Sequence, residues 1–381
     1  MILGKKPHII IVDNSLHYTG ALKAILASSV ALSNSFEFVF VLPKRSRIAQ
    51  LVRDHEFRVH TLPFVELSKR PRDVFFYLPF LIKNGFSLSR LVKLYRARIV
   101  HTNDYYNLVG VVAKTFAPSV KLVTHIRKLP DSFPLLLSRL WLWLHERYSE
   151  KVICVSIAVK RQLSDHFPAL VIYDGIFFEE KHAPRISFHR NDDIVTLLYL
   201  SHYIPGKGQD YALDAFRQAF NECSLLRLKF VGGDVGLEKN RMFRKSLERK
   251  ASEWGLSEVV QFSGSVRDVE KKIKAADIVL NFSESESFSF TCLEALYYGT
   301  PLIASDSGGP AELFEHQESG FLVTNGDVDS MVRGIVFLAR NPKLRTQFAV
   351  QGREFVRRKF AYERTTMGLR QAYDELYEVK R

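Results

Sequence analysis

Two glutamates separated by seven residues lie in the second half of the chain. Glu286 and Glu294 belong to the stretch ESESFSFTCLEALYYGTP, residues 284–301, which apart from its first residue, Glu284, is otherwise small, aromatic and aliphatic. The preceding run, ADIVLNFS, is typical of a strand buried on both faces of a parallel sheet, and FTCLEALYYG has helical spacing that ends at Gly299. A strand, a tight loop and a helix in this order predict a position at the carboxyl edge of a sheet, where ligands bind.

The amino end of this predicted helix favours an anion. The backbone N–H groups of residues 287–290 would face the anion, and the helix dipole would strengthen the attraction. Glu286 would then lie at the rim of the site, and Glu294 would reach toward a sugar hydroxyl. In the structural alternative, Glu286 only complements the helix dipole and Glu294 is a solvated surface acid.

A lysine between two glycines follows another predicted strand. The segment LLYLSHYIPGKGQDYALDAF, residues 197–216, passes from a strand through a loop with Lys207 into a helix. Gly206 and Gly208 would let phosphate oxygens approach closely, so that the ammonium group and backbone N–H groups converge on them. The spacing is not that of a Walker loop. We expect Lys207 and Glu286 at the same edge of one sheet.

Two series of short apolar runs organise the chain. The second series begins at residues 194–201, and the polar stretch 179–193 between the series is interpreted as an interdomain linker. The pattern predicts an α/β protein with two Rossmann-like domains whose parallel sheets face each other across a cleft. The strands expected in the first series are residues 8–13, 36–42, 98–102, 120–125 and 151–155, and those in the second are 194–201, 226–233, 259–264, 276–283, 300–305 and 320–323.

Positive charge is concentrated in the first half of the chain. The formal net charge is +13, and residues 1–190 contain 28 Lys and Arg against 14 Asp and Glu. Between residues 40 and 100, basic side chains alternate with aromatic and aliphatic ones such as Phe75, Phe76 and Phe86. This mixture favours contact with an anionic membrane surface, and its alternative is a solvated face around an ordinary core helix. Nucleic-acid binding is disfavoured because no recognition motif is present.

The remaining features predict a cytoplasmic protein without a metal. The three cysteines are scattered, which fits a reducing compartment and argues against a zinc cluster. The apolar run near the amino terminus is too short for a signal peptide or a membrane span, so any membrane association would be peripheral. The DVD sequence at 327–329 is interpreted as a helix cap rather than a metal site.

Several segments, taken in order, resemble the retaining glycosyltransferases of the GT-B fold, and in particular glycosyltransferase family four. In the second half they are the lysine–glycine loop at 202–208, VGGD at 231–234, FSGSV at 262–266, and the Glu286 and Glu294 pair followed by ALYYGTPLIASDSGGPAEL. In the first half the similarity is fainter, in HYTGAL (17–22), THIRKL (124–129), VSIAVKRQL (155–163) and YDGIFF (173–178).

The resemblance implies that the two domains bind different substrates. Residues 1–180 would form an acceptor-binding domain, residues 190–360 would bind the nucleotide sugar, and residues 361–381 would form a helix that returns to the first domain. The donor would be a nucleotide-diphosphate sugar of the UDP or GDP type, with no further cofactor.

The resemblance also implies roles for single residues. Lys207 would neutralise the donor diphosphate, Glu286 would contact hydroxyls of the donor sugar, and Glu294 would bind the ribose hydroxyls. His125, in the first domain, would face the donor sugar and complete the catalytic set with Lys207 and Glu286. Further donor contacts would come from Val266 and Arg267 at the base, from amides of Ser287, Phe288 and Ser289 at the distal phosphate, from Gly233 and His202 beside Lys207, and from Gly20 at the diphosphate.

Four positions depart from the family pattern. His202 stands where the family usually has arginine, Ser287 and Ser289 replace glycines, and Asp174 replaces the asparagine of an Asn-Gly turn. The leading interpretation is a retaining, metal-independent hexosyltransferase that acts on a glycan or lipid-linked acceptor in the synthesis of lipopolysaccharide, capsule or a similar surface polysaccharide. The alternatives are a nucleotide-sugar epimerase or hydrolase of the same fold, and a non-catalytic nucleotide-sugar-binding scaffold.

Overall fold

The computed structural model describes residues 6–65, 71–177 and 194–378 and divides the chain into two compact units. Unit 1 comprises Met1–Gly175 and Tyr362–Arg381, and unit 2 comprises Ile176–Ala361. The linker expected at residues 179–193 lies outside the described residues, as does Phe178 at the end of the YDGIFF segment.

Unit 1 is built on a parallel sheet of seven strands. They are β1 (His8–Val12), β2 (Glu37–Pro43), β3 (Arg58–Leu62), β4 (Ile99–Thr102), β5 (Lys121–Ile126), β6 (Lys151–Cys154) and β7 (Ala169–Val171). Their order across the sheet is β3-β2-β1-β4-β5-β6-β7. The apolar run of β1 is fully buried between its neighbours. This order is that of a doubly wound sheet, so the carboxyl ends of its central strands share one edge.

Six helices connect the strands of unit 1. They are α1 (Gly20–Leu32), α2 (Ala49–Asp54), α3 (Pro71–Tyr95), α4 (Val109–Phe116), α5 (Leu135–Tyr148) and α6 (Ile157–Arg161). Thr19 caps α1 by accepting a hydrogen bond from the Leu22 amide, and Ser156 caps α6 in the same way from Val159. Helices α3 and α4 approach closely, because a Cβ on Gly85 would lie 2.4 Å from the Val112 side chain.

Unit 2 is built on a parallel sheet of six strands. They are β8 (Val195–Leu200), β9 (Leu226–Val231), β10 (Val260–Ser263), β11 (Ile278–Asn281), β12 (Leu302–Ser305) and β13 (Phe321–Val323), in the order β10-β9-β8-β11-β12-β13. The helices between the strands are α7 (Gln209–Glu222), α8 (Glu238–Glu253), α9 (Val269–Lys274) and α10 (Phe290–Tyr297), and α11 (Val328–Arg340) and α12 (Pro342–Lys359) follow the last strand. Strands β8 and β11 are neighbours at the centre, which brings the loops that follow them together.

The last helix, α13 (Tyr362–Glu378), belongs to unit 1. Leu369, Tyr373 and Leu376 are buried in the same apolar core as the β1 and β2 side chains. The Tyr373 hydroxyl is 2.7 Å from His101 Nδ1, and the Tyr377 hydroxyl donates to the His8 carbonyl oxygen. The C-terminal helix is therefore an integral layer of unit 1.

Every strand expected from the sequence is present, and two strands were missed. Both missed strands, β3 and β7, form the edges of the unit 1 sheet. Strand β3 is only partly buried and β7 has three residues, so neither has the continuous apolar run of a central strand. The predicted cap at the DVD sequence is confirmed, since the Asp327 side chain accepts from the Ser330 amide at the start of α11. Within the ranges given above, no helix is long and apolar enough to cross a membrane.

Candidate active site

Lys207 lies in a tight loop between β8 and α7. Gly206 and Gly208 flank it with φ angles of +87° and +76°, a backbone region that favours glycine. A Cβ on Gly208 would lie 1.9 Å from the Phe282 carbonyl oxygen, so the loop packs against the chain just after β11. The Tyr199 hydroxyl donates to the Lys207 carbonyl oxygen at 2.6 Å. These contacts fix the lysine backbone, while 33% of its side chain remains exposed.

Glu286 follows β11 and contacts Lys207 directly. The distance from Lys207 Nζ to Glu286 Oε2 is 2.6 Å, and the glutamate side chain is 18% exposed. Its backbone is held on both sides, because its N–H donates to the Ser307 carbonyl oxygen and its own carbonyl accepts from the Gly309 amide. The ion pair thus joins two loops at the carboxyl edge of the unit 2 sheet, where ligands bind in open α/β folds.

The Lys207–Glu286 pair supplies two complementary functions in one place. A partly exposed ammonium group can bind phosphate oxygens, and a fixed carboxylate can accept hydrogen bonds from sugar hydroxyls. Both side chains are partly exposed, so an anionic ligand would compete with Glu286 for the same ammonium group.

The loop from Ser287 to Ser289 leads into α10. Ser289 has φ +82°, which L residues rarely adopt, and its Oγ caps the helix by accepting from the Cys292 amide. The Asn281 side-chain amide donates to the same Oγ at 3.2 Å. The Phe288 side chain is buried, in ring contact with Phe290. Ser289 therefore holds a backbone conformation suited to glycine, which the family usually has at this position.

His202 and Gly233 belong to one cluster of loops. The Gly233 amide donates to His202 Nδ1 at 3.3 Å, and the Gln209 side chain donates to the His202 carbonyl oxygen at 2.7 Å. A Cβ on Gly233 would lie 2.3 Å from Ser265 Oγ, which shows how closely the loops after β9 and β10 approach. The imidazole of His202 is exposed. His202 therefore lies in the loop cluster, at the position where the family usually has arginine.

The remaining predicted donor contacts of unit 2 lie on nearby connections. Val266 is partly buried and Arg267 is exposed, both in the loop between β10 and α9. Glu294 is partly buried in the second turn of α10. Their roles toward the base and the ribose remain predictions.

Gly20 and His125 belong to unit 1. Gly20 is the exposed first residue of α1. His125 lies near the end of β5 and is fully buried, with its Nδ1 accepting from Arg127 Nη2 at 3.3 Å. Burial and the neighbouring Arg127 and His101 hold the pKa of His125 well below its usual value, so the ring is neutral. Its Nε2 has no hydrogen-bond partner among the described residues, and its contact with a sugar remains a prediction.

A buried ion pair beside His125 was missed by sequence reasoning. Arg127 Nη1 donates to both carboxylate oxygens of Asp174, at 2.9 and 2.7 Å, and both side chains are almost fully buried. Arg127 Nε donates to Asn103, whose side-chain amide donates to Asp13. The sequence identifies Asp174 only as part of an Asp-Gly turn. The available signal was a charged residue directly after a buried strand, in THIRKL.

Two family models cover most of the chain. The model for Glycosyltransferase Family 4 matches residues 31–179, and the model for Glycosyl transferases group 1 matches residues 181–355. Two Rossmann-like units define the class as a GT-B glycosyltransferase. The chain belongs to the group 1, family-four type of glycosyltransferases.

Relatives and solved structures agree with this assignment. An uncharacterized glycosyltransferase of Methanocaldococcus jannaschii is 25% identical over 86% of this chain and 92% of its own length. The phosphatidyl-myo-inositol mannosyltransferase of Mycobacterium leprae is 33% identical over 43% of this chain and 42% of its own length. Anabaena HepE, solved with UDP and glucose, shares the fold with a TM-score of 0.80 and 20% identity, covering 97% of this chain and all of HepE.

Proposed function

We propose that the protein transfers a sugar from a nucleotide-diphosphate sugar to an acceptor hydroxyl, with retention of configuration and without a metal ion. The observation that carries the proposal is the Lys207–Glu286 pair at the carboxyl edge of the unit 2 sheet. A nucleotide-sugar donor agrees with the UDP complexes of HepE, and the UDP and GDP types are both compatible with the site.

The charges that develop in this reaction match the groups in the site. When the bond between the sugar anomeric carbon and the phosphate oxygen breaks, positive charge grows on the sugar and negative charge on the diphosphate. The Lys207 ammonium group and the amino end of α10 would stabilise the departing diphosphate. The acceptor oxygen forms the new bond to the anomeric carbon on the face that the diphosphate leaves, and its proton passes to a phosphate oxygen.

The other site residues take positioning roles in this proposal. Glu286 orients the sugar through its hydroxyls, and Glu294 binds the ribose. Val266 and Arg267 contact the base, and the loop from Ser287 to Ser289 contacts the distal phosphate. Gly233 and His202 contact the donor beside Lys207.

The acceptor is proposed to be a glycan or lipid-linked hydroxyl in surface-polysaccharide synthesis, reached at the cytoplasmic face of the membrane. The Mycobacterium leprae relative carries a phospholipid acceptor in its name, which supports a lipid-linked substrate. The basic and aromatic composition of residues 40–100 supports the membrane location.

Two substitutions test the donor site. Lys207→Ala and Glu286→Gln should each lower sugar transfer by about 10²- to 10³-fold, as for loss of one group that stabilises a transition state. Transfer is measured by mass spectrometry of products with UDP- and GDP-sugars and a panel of lipid-linked and glycan acceptors. Lys250→Ala is the matched control, because it removes another half-exposed lysine of unit 2, which pairs with Asp214. Unchanged transfer in both variants would refute the proposed site.

Product analysis separates the alternatives of the same fold. An epimerase or hydrolase converts the nucleotide sugar without any acceptor, whereas the proposed transferase requires one. A non-catalytic scaffold, suggested by His202 in place of arginine, would bind the nucleotide and give no product with any acceptor.

A further inference from the structure

The outward face of α5 is apolar. Leu136, Leu140 and Trp143, spaced by four and three residues, are 82%, 48% and 58% exposed. Trp141 and His145 occupy the opposite, buried face of the same helix. A helix on the surface of a globular protein normally turns its polar residues toward water. Helix α5 therefore carries apolar side chains on both faces.

A similar stripe runs along α3. Phe75, Ile82 and Phe86 are exposed at spacings of seven and four residues, which places them on one side of the helix. The guanidinium group of Arg90 lies over the Phe86 ring, 5.3 Å from its centroid. The Phe86 ring also packs on the exposed ring of Phe116 at the end of α4.

The two stripes belong to one layer of unit 1. Helix α4 contacts both α3 and α5, so the three helices lie side by side on the sheet. We call the two exposed stripes of this layer the α3/α5 surface. It comprises the apolar residues Phe75, Ile82, Phe86, Leu136, Leu140 and Trp143, the basic residues Arg72, Lys83, Arg90, Lys93 and Arg139, and the exposed acid Glu146, three residues after Trp143 on α5.

Basic side chains outnumber acidic ones on the α3/α5 surface by five to one. All five basic side chains belong to exposed residues. Among the residues whose side chains the structure describes, none of the ion pairs involves any of these five. Basic and apolar groups mixed on one surface complement the phosphates and the acyl boundary of an anionic bilayer.

We propose that the α3/α5 surface docks on an anionic phospholipid bilayer, with α5 as the inserting element. Leu136, Leu140 and Trp143 enter the boundary between headgroups and acyl chains, while the basic side chains meet lipid phosphates. This inference rests on the proposed function in one respect: a membrane-borne acceptor for the transferred sugar would give the protein a reason to bind a bilayer. Two copies of the chain would not cover the patch favourably, since pairing would place like charges against each other.

Vesicle binding by the full-length protein tests the proposal. The protein should sediment with vesicles of phosphatidylcholine that contain phosphatidylglycerol, and far less with phosphatidylcholine alone. Salt at about 1 M, where the screening length is about 3 Å, should release most of the bound protein.

Substitutions on α5 and α3 separate the apolar and charged contributions. The double variant Leu136→Ser/Trp143→Ser should bind phosphatidylglycerol vesicles at least about tenfold more weakly, since each side chain loses apolar burial. Arg90→Gln/Arg139→Gln should bind roughly 20- to 30-fold more weakly, at about fivefold for each charge removed near the surface. Met242→Ser/Lys239→Gln on α8, an exposed apolar and basic pair of unit 2, should bind as the wild type does.

Tryptophan quenching locates the inserting helix. Phospholipids with brominated acyl chains should quench Trp143, and Trp143→Phe should abolish that quenching. The buried Trp141, two residues away, serves as the internal control because its ring packs against Tyr105 and Phe133.

The outcomes distinguish failure of docking from failure of the donor site. Lys207→Ala should still bind vesicles, and the Leu136→Ser/Trp143→Ser variant should still be stabilised by its nucleotide in a thermal denaturation assay, which also shows that it is folded. The proposal is overturned if the α5 variant binds vesicles as the wild type does. It is equally overturned if that variant dissociates a dimer, seen by sedimentation velocity, while vesicles bind neither protein.

Discussion

At the scale of single residues, the Lys207–Glu286 pair makes nucleotide affinity and catalysis respond differently to mutation. The Lys207 ammonium group is 2.6 Å from the Glu286 carboxylate, and this carboxylate repels an incoming diphosphate. Glu286→Gln should therefore bind the free nucleoside diphosphate about fivefold more tightly, as for loss of an ion pair worth about 1 kcal/mol, although transfer falls. Isothermal titration calorimetry with UDP and GDP measures this affinity.

Lys207→Ala provides the contrast for this prediction. It should weaken nucleotide binding by roughly 10- to 100-fold, the cost of charged hydrogen bonds worth 1.5–3 kcal/mol. Weaker binding in Glu286→Gln as well would mean that the carboxylate contacts the nucleotide favourably and does not compete with it.

Ser289 combines a strained backbone with a useful cap. The positive φ costs about 1–3 kcal/mol in a non-glycine residue, and the cap returns about 1 kcal/mol. We expect Ser289→Gly to raise the free energy of unfolding by about 0.5–1 kcal/mol, because glycine relieves the strain and loses little as a cap. Ser289→Ala should lower it by about 1 kcal/mol, since the strain stays and the cap is lost.

Urea unfolding of the three proteins measures this order. An alanine variant as stable as the wild type would show that the Ser289 hydroxyl does not cap α10. A glycine variant less stable than the wild type would show that the positive φ carries no strain.

At the scale of elements, α13 fixes the histidine-rich end of the unit 1 sheet. The Tyr373 hydroxyl and His101 Nδ1 are hydrogen-bonded at 2.7 Å, and both side chains are fully buried. Tyr373→Phe should lower the free energy of unfolding by about 1–3 kcal/mol, since His101 Nε2 already has no partner among the described residues and Nδ1 would lose its own.

Met367→Ala is the control for Tyr373→Phe. Met367 is an exposed residue of the same helix, so its replacement should change stability by less than about 0.5 kcal/mol. Denaturant unfolding followed by circular dichroism measures both variants. Equal effects in the two variants would show that the buried hydrogen bond contributes nothing.

Elements also show how far the sequence determines the structure. Central strands such as β1 and β11 were predictable because each contains a continuous buried apolar run. The Lys207–Glu286 contact followed from two strand ends at one sheet edge, since β8 and β11 are adjacent. The position of Arg127 directly after a buried strand was a signal, but its pairing with Asp174 was not predictable. The pairing depends on the strand order β5-β6-β7 and on β7, which was too short to recognise. The apolar outward face of α5 could not be predicted, because the sequence does not show which of its apolar residues are buried and which are exposed.

At the scale of the whole molecule, buried histidines are concentrated in unit 1. Burial lowers the pKa of His101 to about 3 and that of His145 to about 4. His145 is held neutral, with Nε2 donating to the Tyr105 carbonyl oxygen and Nδ1 facing the Thr124 hydroxyl. Among the described residues of unit 2, both histidines, His202 and His316, are exposed. The two units therefore differ in their response to acid.

Acidification should unfold unit 1 before unit 2. Between the unfolded histidine pKa of 6.5 and the folded values of about 3 and 4, protons bind the unfolded state preferentially, so stability falls as pH falls. At pH 5 each of the two histidines removes about 2 kcal/mol. Asp104 acts in the opposite sense, because burial raises its pKa to about 6 and the folded state therefore binds its proton more tightly than the unfolded state does. Between pH 7 and pH 5 it offsets only about 1 kcal/mol of the stability that the histidines remove.

Hydrogen–deuterium exchange at pH 7 and pH 5, corrected for the intrinsic exchange rate, measures this difference. Protection should fall first in β4, β5 and α5, the elements that hold His101 and His145 and the residues around them. His145→Gln is expected to flatten the dependence of unit 1 stability on pH, since glutamine does not titrate, although the variant starts from a lower stability. Equal loss of protection in both units, or an unchanged pH slope in His145→Gln, would contradict the assignment of acid sensitivity to the buried histidines.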